Sequence, residues 1–257
     1  MRQAEFRFYA ELNDFMAKSR RQVDFAYPFR GTPSLKDAIE ALGVPHTEVE
    51  VILVNGVSVA FDHRLHAGDR VSVYPVFEAL DVTPLVRLRP QPLRQPRFLL
   101  DVHLGRLAHR LRLFGFDAAY RNDWSDAQLA EIGPRERRIV LTRDRGLLMR
   151  RAITHGYYVR ATRPDLQLLE VLRRFDLGGS LRPLTRCLVC NGELCTVTPE
   201  HIDPASVPPD VEARRLPLVR CSDCRRVYWE GSHVLRLRSV IAEVEPQLQV
   251  ARQEDLA

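Results

Sequence analysis

Two short stretches of the sequence share one design: Phe98-Leu99-Leu100-Asp101 and Arg138-Ile139-Val140-Leu141-Thr142-Arg143-Asp144. Each is an apolar run that predicts a buried strand, and an aspartate follows the last apolar residues, about where a parallel strand gives way to a helix. Two such acids are expected to meet at one edge of a sheet. Ligands of parallel sheets bind at the carboxyl ends of the strands, so the pair predicts both a fold and a site.

The residues around these stretches alternate between helical and extended patterns. A helix with one apolar face is expected over 104–114, and Gly115 ends it. Ser125 is a good N-cap for a second helix, which Gly133-Pro134 ends. Further strands are expected at 116–120 and 157–160, with helices through Ala152 and over 164–175. Four alternations of strand and helix predict an α/β domain, a parallel sheet covered by helices.

Length and composition indicate a soluble protein of two or three domains. The chain has 257 residues, of which 45% are hydrophobic, and these values are typical of globular domains with cores of their own. No apolar run approaches the 18 residues that predict a membrane helix, and the N-terminus has no signal-peptide pattern. We therefore expect no membrane association and a cytoplasmic location.

The positive charge is concentrated after residue 80. Residues 1–80 hold 9 basic and 11 acidic side chains, and the remainder holds 29 and 22. Only Lys18 and Lys36 are lysines, so the excess is nearly pure arginine. Arginine binds phosphate through two parallel hydrogen bonds, so a basic domain around an acid cluster indicates a polyanionic substrate. A solvated surface with biased composition is the alternative.

Residues 1–80 predict a compact unit with strands around one helix. Ser34 caps that helix and Gly43 closes it, while Asn55-Gly56 indicates a hairpin. The segment resembles the ubiquitin-like β-grasp fold of the sulfur-carrier proteins of thiamine and molybdopterin synthesis. Those carriers use a C-terminal Gly-Gly, which the continuation 76–81 lacks. The unit is therefore expected to dock a protein partner or to act as a stabilising appendage, and its removal should leave the remainder folded.

A proline- and arginine-rich connector is expected over 81–97. It interleaves four prolines with four arginines, a pattern that favours an extended, semi-rigid chain. Its arginines either extend a nucleic-acid track or are simply solvated.

Two C-x-x-C pairs predict a zinc site. Cys187 with Cys190 and Cys221 with Cys224 have the knuckle spacing in which each pair gives two thiolates to one tetrahedral Zn²⁺. Two disulfides are the alternative, but nothing indicates an oxidising compartment. Four ligands already close a structural zinc site, so Cys195 is expected to be a strand residue beside the knuckle rather than a ligand or a nucleophile.

Adjacent aromatic residues follow the second knuckle in Val227-Tyr228-Trp229-Glu230-Gly231-Ser232-His233. Trp229 can stack on an unpaired base, and His233 can contact a phosphate or the reacting group. The alternative is that Tyr228 and Trp229 pack the small zinc unit.

Taken together, these pieces resemble the Mut-seven C-terminal RNase family over residues 98–238, a family similar to PIN-domain nucleases with an appended zinc ribbon. The matching pieces are 98–101, Leu104-Gly105-Arg106-Leu107-Ala108, Leu111-Arg112, Gly115-Phe116-Asp117, 141–145, 187–194 and 228–233. The resemblance implies four segments: a ubiquitin-like domain at 1–80, the linker at 81–97, a PIN-like nuclease domain at 98–180 and a zinc ribbon at 181–240.

The resemblance also implies Mg²⁺- or Mn²⁺-dependent cleavage of RNA by a carboxylate cluster. Asp101 and Asp144 match the family's metal ligands, and Asp126 is the best candidate for the middle acid. Asp117 and Asp123 are alternatives for that position, and no fourth acid can be named after Asp144.

Four arginines near these acids are expected to bind the flanking phosphates: Arg106, Arg110, Arg143 and Arg145. The alternative for each is an ion pair on the protein surface. Two other functions stay open. One is a non-catalytic RNA-binding module for ribosomal or transfer RNA, and the other is an accessory to sulfur transfer, which lacks the Gly-Gly tail.

Overall fold

A computed structural model describes residues 1–75, 96–198, 201–202, 207 and 217–229. The chain divides into two compact units, one made of Met1–Gln95 with Trp124–Tyr158 and the other of Pro96–Asp123 with Val159–Ala257. The expectations for the connector at 81–95 and for His233 lie outside the described residues. The sequence-based boundaries at 80, 97 and 180 stay predictions.

The N-terminal part of the first unit is a five-stranded sheet with one α-helix. Its elements are β1 (Arg2–Phe8), β2 (Phe25–Phe29), α1 (Leu35–Ala41), β3 (Val49–Val54), β4 (Val57–Val59) and β5 (Arg70–Pro75). The strand order is β2-β1-β5-β3-β4. Strands β1 and β5 are parallel and the other neighbours are antiparallel. The predicted ubiquitin-like β-grasp fold is confirmed.

Local sequence accounts for this fold. Ser34 and Asp37 form a reciprocal capping box at the start of α1, which satisfies two backbone N–H groups that a helix N-terminus otherwise leaves unpaired. Gly43 ends the helix with a φ of +93°. The buried side of α1 then packs with alternate residues of the sheet in one apolar core: Ala4, Phe6, Phe8, Leu35, Ala38, Ile39, Ile52, Val71 and Val73.

The next segment alternates strands and helices as expected. Its elements are β6 (Phe98–Leu100), α2 (Gly105–Leu113), β7 (Ala118–Tyr120), α3 (Asp126–Arg135), β8 (Ile139–Thr142), α4 (Arg145–Leu148), β9 (Gly156–Tyr158) and α5 (Pro164–Arg174). Strands β6 and β7 pair in parallel in the second unit, and β8 and β9 pair in parallel in the first. All residues of β6 and β8 are buried. The predicted parallel α/β fold is confirmed.

Two helix boundaries differ from the expected ones. Helix α3 continues through Gly133-Pro134 to Arg135, because Pro134 lies in its last turn and the N–H of Arg138 donates to the Gly133 carbonyl at 2.8 Å. Helix α4 has four residues and does not reach Ala152. The chain turns at once because Ile153 is fully buried.

The C-terminal part of the second unit is a small antiparallel sheet. Its strands are β10 (Leu194–Val197), β11 (Leu218–Cys221) and β12 (Val227–Trp229), in that spatial order. Leu218 forms a small core with Ile202 and Val207, against which Trp229 packs. This arrangement, with the cysteines at one end of β11, is that of the predicted zinc ribbon.

Candidate functional site

Asp101 lies directly after β6 and is 4% exposed. It caps the single turn Val102–Leu104, and its Oδ1 accepts from the N–H of Val102 at 2.5 Å. Gly105, the residue after this turn, permits a close approach of Tyr120, because a Cβ at this position would lie 2.7 Å from the Tyr120 hydroxyl oxygen. That hydroxyl donates to the Val102 carbonyl at 3.0 Å. The turn that carries Asp101 is therefore fixed on both sides.

Asp144 lies two residues after β8 and is exposed. Its backbone N–H donates to Thr142 Oγ1 at 2.9 Å, and its Oδ1 accepts from the N–H of Gly146 at 2.7 Å. Thr142 is fully buried, so it anchors the turn from the inside. Thr142 therefore has a structural role: it orients Asp144, the N-cap residue of α4.

The candidates for a middle acid differ in how strongly they are paired. Asp126 opens α3 and has one long ion pair, 3.7 Å to Arg150. Asp123 is held by Arg121 through two hydrogen bonds of 2.8 and 2.6 Å, and Arg121 lowers its pKa through these bonds. Asp117 accepts from Arg97 and from Asn191 at 2.8 and 2.7 Å. Asp117 therefore serves the packing of its neighbours.

The four predicted phosphate-binding arginines also differ. Arg106 is exposed on α2, whereas Arg110 pairs with Asp165 at 2.5 Å. Arg143 is half-buried. The Arg145 guanidinium lies over two aromatic rings and donates to two carbonyl oxygens. The structure tests no contact with RNA, so that role stays a prediction for all four.

The four knuckle cysteines come together. Their sulfur atoms lie within 4.8 Å of one another, with Cys187 and Cys221 buried and Cys190 and Cys224 exposed. Two Sγ–Sγ distances are 3.7 Å for Cys187 and Cys224 and 3.3 Å for Cys190 and Cys221. All are free thiols, and Cys195 stands apart as an exposed residue of β10. The cluster can hold a metal ion such as zinc, for which four thiolates are a typical donor set.

The proton affinities of these thiols show what a cation would change. Partial desolvation of the sulfur atoms, together with the neighbouring cysteine thiols, raises the pKa of Cys190 to about 12 and also raises that of Cys224. Burial would raise the pKa of Cys187 as well, but hydrogen bonds from the Cys190 N–H and the Tyr228 hydroxyl outweigh it and lower this pKa to about 6. Without a cation, Cys190 and Cys224 hold their protons at neutral pH.

The first knuckle is held against α2 and β7 by two side chains. Arg112, on α2, is 5% exposed; it donates to the Leu188 and Val189 carbonyls at 3.1 and 2.8 Å and to the Ala118 carbonyl at 2.9 Å. Asn191 accepts from the Ala118 N–H at 2.9 Å and donates to Asp117. Neither role was predicted from the sequence. One feature of the sequence could have indicated the role of Arg112. This arginine lies four residues after buried Ala108, so it is on the apolar face of the helix.

Gly115 marks a second close approach in the same region. It adopts a φ of +89°, and a Cβ there would lie 2.0 Å from the Arg182 carbonyl oxygen. The N–H of Arg182 in turn donates to the Phe114 carbonyl at 3.0 Å. Gly115 therefore closes α2 and also admits the chain that leads to the knuckle.

The aromatic residues of β12 take part in packing. The Tyr228 hydroxyl lies 3.0 Å from Cys187 Sγ, and half-buried Trp229 packs on the ribbon core. These contacts support the packing alternative for the pair. Stacking of Trp229 on a base stays a prediction.

One further group of metal-type side chains lies in the ubiquitin-like fold: His63, His66 and Asp69. Both Asp69 carboxylate oxygens accept hydrogen bonds, Oδ1 from Asn55 Nδ2 at 3.0 Å and Oδ2 from the His66 N–H at 2.8 Å. These bonds order the turn before β5. They give Asp69 a structural role without a metal.

Among the residues that the structure describes, no helix has the length and apolarity needed to cross a membrane.

Comparison with known proteins places this architecture in a family. Residues 96–241, more than half of the chain, match the Mut7-C RNAse domain model, so the chain belongs to that family. Residues 1–81 match the Mut7-C ubiquitin model. Membership in an RNase family supports a nuclease or RNA-related role.

Two solved structures match about a third of the chain. Crystal structures of small archaeal modifier protein 1 from H. volcanii and of SAMP1 from Haloferax volcanii are 19% and 18% identical to this chain. They cover 29% and 30% of it and 98% of the modifier chains, each with a TM-score of 0.24. No curated protein matches the chain.

Proposed function

We propose that this chain is a divalent-metal-dependent ribonuclease that hydrolyses RNA phosphodiester bonds, with Asp101 and Asp144 as metal ligands. Family membership carries the proposal. The local geometry of the two acids supports it, because each follows a strand of a parallel pair and each has a carboxylate oxygen fixed by a backbone N–H. A fixed carboxylate loses little freedom when it binds a cation.

The donor set suits a hard cation. Carboxylate oxygens are the ligands that Mg²⁺ and Mn²⁺ prefer. When bound, such an ion would supply a hydroxide at neutral pH and positive charge against the developing phosphorane. The acids hold the ion, and Arg106 and Arg143 bind phosphates of the RNA strand and so offset its repulsion by the carboxylates.

Asp126 is the best third ligand. Its side chain is 45% exposed, and its one ion pair with a residue that the structure describes is 3.7 Å long, so little is lost when it turns to a cation. Asp123 and Asp117 would each have to break two short hydrogen bonds. In this proposal Zn²⁺ at Cys187, Cys190, Cys221 and Cys224 is structural, and the ribbon adds RNA contacts through Trp229 and His233.

A non-catalytic RNA-binding module, for ribosomal or transfer RNA, is the alternative. One observation favours it. Asp117 and Asp123, two of the three candidates for a middle acid, are held by hydrogen bonds to other side chains. If no middle acid binds the metal, only Asp101 and Asp144 remain as ligands, which are too few for a two-metal site.

Asp144→Asn decides between the two. The amide oxygen can still accept from the Gly146 N–H, so the turn should persist, while the loss of charge weakens metal binding and eases repulsion of RNA. We expect cleavage with Mg²⁺ or Mn²⁺ to be abolished and RNA affinity, measured in EDTA, to be unchanged or slightly higher. Asp101→Asn should behave alike, and the double variant should be hardly worse than either single one.

Glu131→Gln is the matched control, because Glu131 is a 71% exposed acid on α3 outside the proposed ligand set. It should cleave at the wild-type rate. Wild-type protein that cuts no RNA with either ion, or Asp144→Asn that cuts as well as wild type, would leave the binding module as the function.

A further inference from the structure

The residue after Asp144 is bound by the ubiquitin-like fold. Arg145 Nη1 donates to the Phe15 carbonyl at 3.3 Å, and Nη2 donates to the Asp14 carbonyl at 3.4 Å. The guanidinium also lies 5.0 Å from the centre of the Phe15 ring and 5.7 Å from that of Tyr158 on β9. The two rings meet edge to face at 5.3 Å. We call Arg145, Phe15 and Tyr158 the arginine clamp.

A second set of contacts joins the same elements. Backbone N–H of Tyr158 donates to Glu48 Oε1 at 2.7 Å, and Glu48 is only 2% exposed. His46 Nε2 lies 3.0 Å from the Ile153 carbonyl oxygen, while its Nδ1 lies 2.6 Å from Glu40 Oε1. Two places in the β-grasp fold, Asp14–Phe15 and the turn His46–Glu48, therefore contact α4, β9 and the segment between them.

These contacts stabilise a helix that is too short to be stable without them. Helix α4 has four residues, and so short a helix does not repay the cost of fixing its backbone without outside contacts. Asp144 is its N-cap and Arg145 its first residue. Whatever fixes the Arg145 backbone also fixes the Asp144 carboxylate, because that carboxylate is bonded to the N–H of Gly146, one residue further on.

We propose that Arg145 is a positioning residue through which the ubiquitin-like fold orients Asp144, and that it does not bind RNA phosphate. The guanidinium already faces two rings and two carbonyl oxygens, so binding a phosphate would break these contacts. The ubiquitin-like fold then contributes to cleavage by holding the Asp144 carboxylate in position. The link to catalysis rests on the proposed function, whereas the link to the order of the 144–148 segment does not.

Two conservative variants of the full chain test the clamp. Arg145→Lys keeps the positive charge but loses the planar fork and its stacking, and Phe15→Leu keeps an apolar side chain but loses the ring. Arg151→Lys is the matched control, an exposed arginine just beyond α4. Hydrogen exchange of peptides spanning 144–149 reports the order of the turn. The Mn²⁺ concentration for half-maximal cleavage reports the carboxylate.

We expect both clamp variants to speed exchange of this segment and to raise the Mn²⁺ requirement about tenfold or more, the usual effect of losing a group that orients a ligand. The double variant should show the same change in exchange rate and Mn²⁺ requirement as the stronger single variant, because both substitutions remove the same contact between Arg145 and Phe15. RNA affinity in EDTA and its salt dependence should not change. Arg151→Lys should match wild type throughout.

Unchanged exchange in both variants would overturn the proposal. So would an Arg145→Lys variant with weaker metal-free RNA binding beside an unaffected Phe15→Leu variant, because Arg145 would then be an RNA contact. If the wild-type chain cleaves no RNA, the proposed function fails separately, and the exchange rates still decide whether the clamp orders the turn.

Discussion

Arg112 brings a charge into the protein interior, and its surroundings explain why that is tolerated. Desolvation lowers its pKa, while the nearby Cys187 and Cys190 sulfurs and Asp117 favour the charged form. Its Nε and Nη1 donate hydrogen bonds to three carbonyl oxygens. A zinc ion with four thiolates has a net negative charge, so Arg112 is also suited to balance a metal-loaded cluster.

Arg112→Lys should therefore be strongly destabilising despite keeping the charge. A lysine cannot span Ala118 on one side and the Leu188 and Val189 carbonyls on the other. Hydrogen bonds to a charged group contribute about 1.5 to 3 kcal/mol each, so a loss of about 2 to 4 kcal/mol is expected. Urea unfolding of the zinc-loaded protein measures it. Arg106→Lys, at an exposed position of the same helix, is the control and should change stability little.

At the scale of elements, the ribbon is a small sheet whose core has few apolar side chains. Of the residues described, three buried ones make up that core, with Trp229 against it. The described core is small compared with the entropy cost of ordering the ribbon strands. We therefore predict that metal binding at the cysteine cluster contributes to folding, as it does in other small zinc domains.

Cys187→Ser and Cys221→Ser should release zinc and unfold the ribbon, because binding energies of about 10 to 16 kcal/mol at such sites are folding energy. Native mass spectrometry and ellipticity measure both effects. Cys195→Ser is the control and should keep its metal. A metal-free variant with unchanged ellipticity would contradict a structural role for zinc.

Zinc binding should also release protons. Partial desolvation and the neighbouring thiols raise the pKa of Cys190 and Cys224, so both are protonated at pH 7.5 in the metal-free protein and must lose their protons to become ligands. At least two protons per zinc are expected. Calorimetric titrations in buffers of different ionisation enthalpy count them. Zinc affinity should accordingly fall as the pH is lowered.

At the scale of the whole chain, the sequence predicts that the remainder folds without the ubiquitin-like fold, and this stays a prediction. However, Trp124–Tyr158 belongs to the same compact unit as residues 1–95. Glu48 and the arginine clamp supply contacts that this segment would lose. A protein partner for the ubiquitin-like fold stays a prediction.

Deleting residues 1–75 should therefore lower the thermal stability of what remains. The deletion exposes Tyr158, 5.3 Å from Phe15 in the intact chain, and leaves its N–H without Glu48. Scanning calorimetry of the intact and shortened chains measures the change. An unchanged transition for the part of the chain that matches the Mut7-C RNAse domain model would support the expectation that the N-terminal fold is separable.

Much of the fold could be predicted from local sequence. Capping residues, hairpin dipeptides and apolar periodicity act over a few residues, so Ser34, Ser125 and Asn55-Gly56 gave the right element types. The end of α3 was misjudged because Gly133-Pro134 was taken as a stop signal, whereas Pro134 lies within the last turn of the helix. The end of α4 was misjudged because the burial of Ile153 depends on tertiary packing. The C-x-x-C spacing likewise identified the cysteine cluster, since two thiolates three residues apart suit one metal ion.

The sequence by itself determined that two aspartates follow two buried strands and that four cysteines can share a metal. Only the tertiary structure decided which charged side chains remain available. Asp117, Asp123, Arg110, Arg112 and Arg145 look alike in sequence to residues that bind substrate, yet each is engaged by a partner. For Asp117, Arg112 and Arg145 that partner is distant in the chain or is a backbone carbonyl, and neither periodicity nor composition registers such a contact, because both describe only near neighbours along the chain.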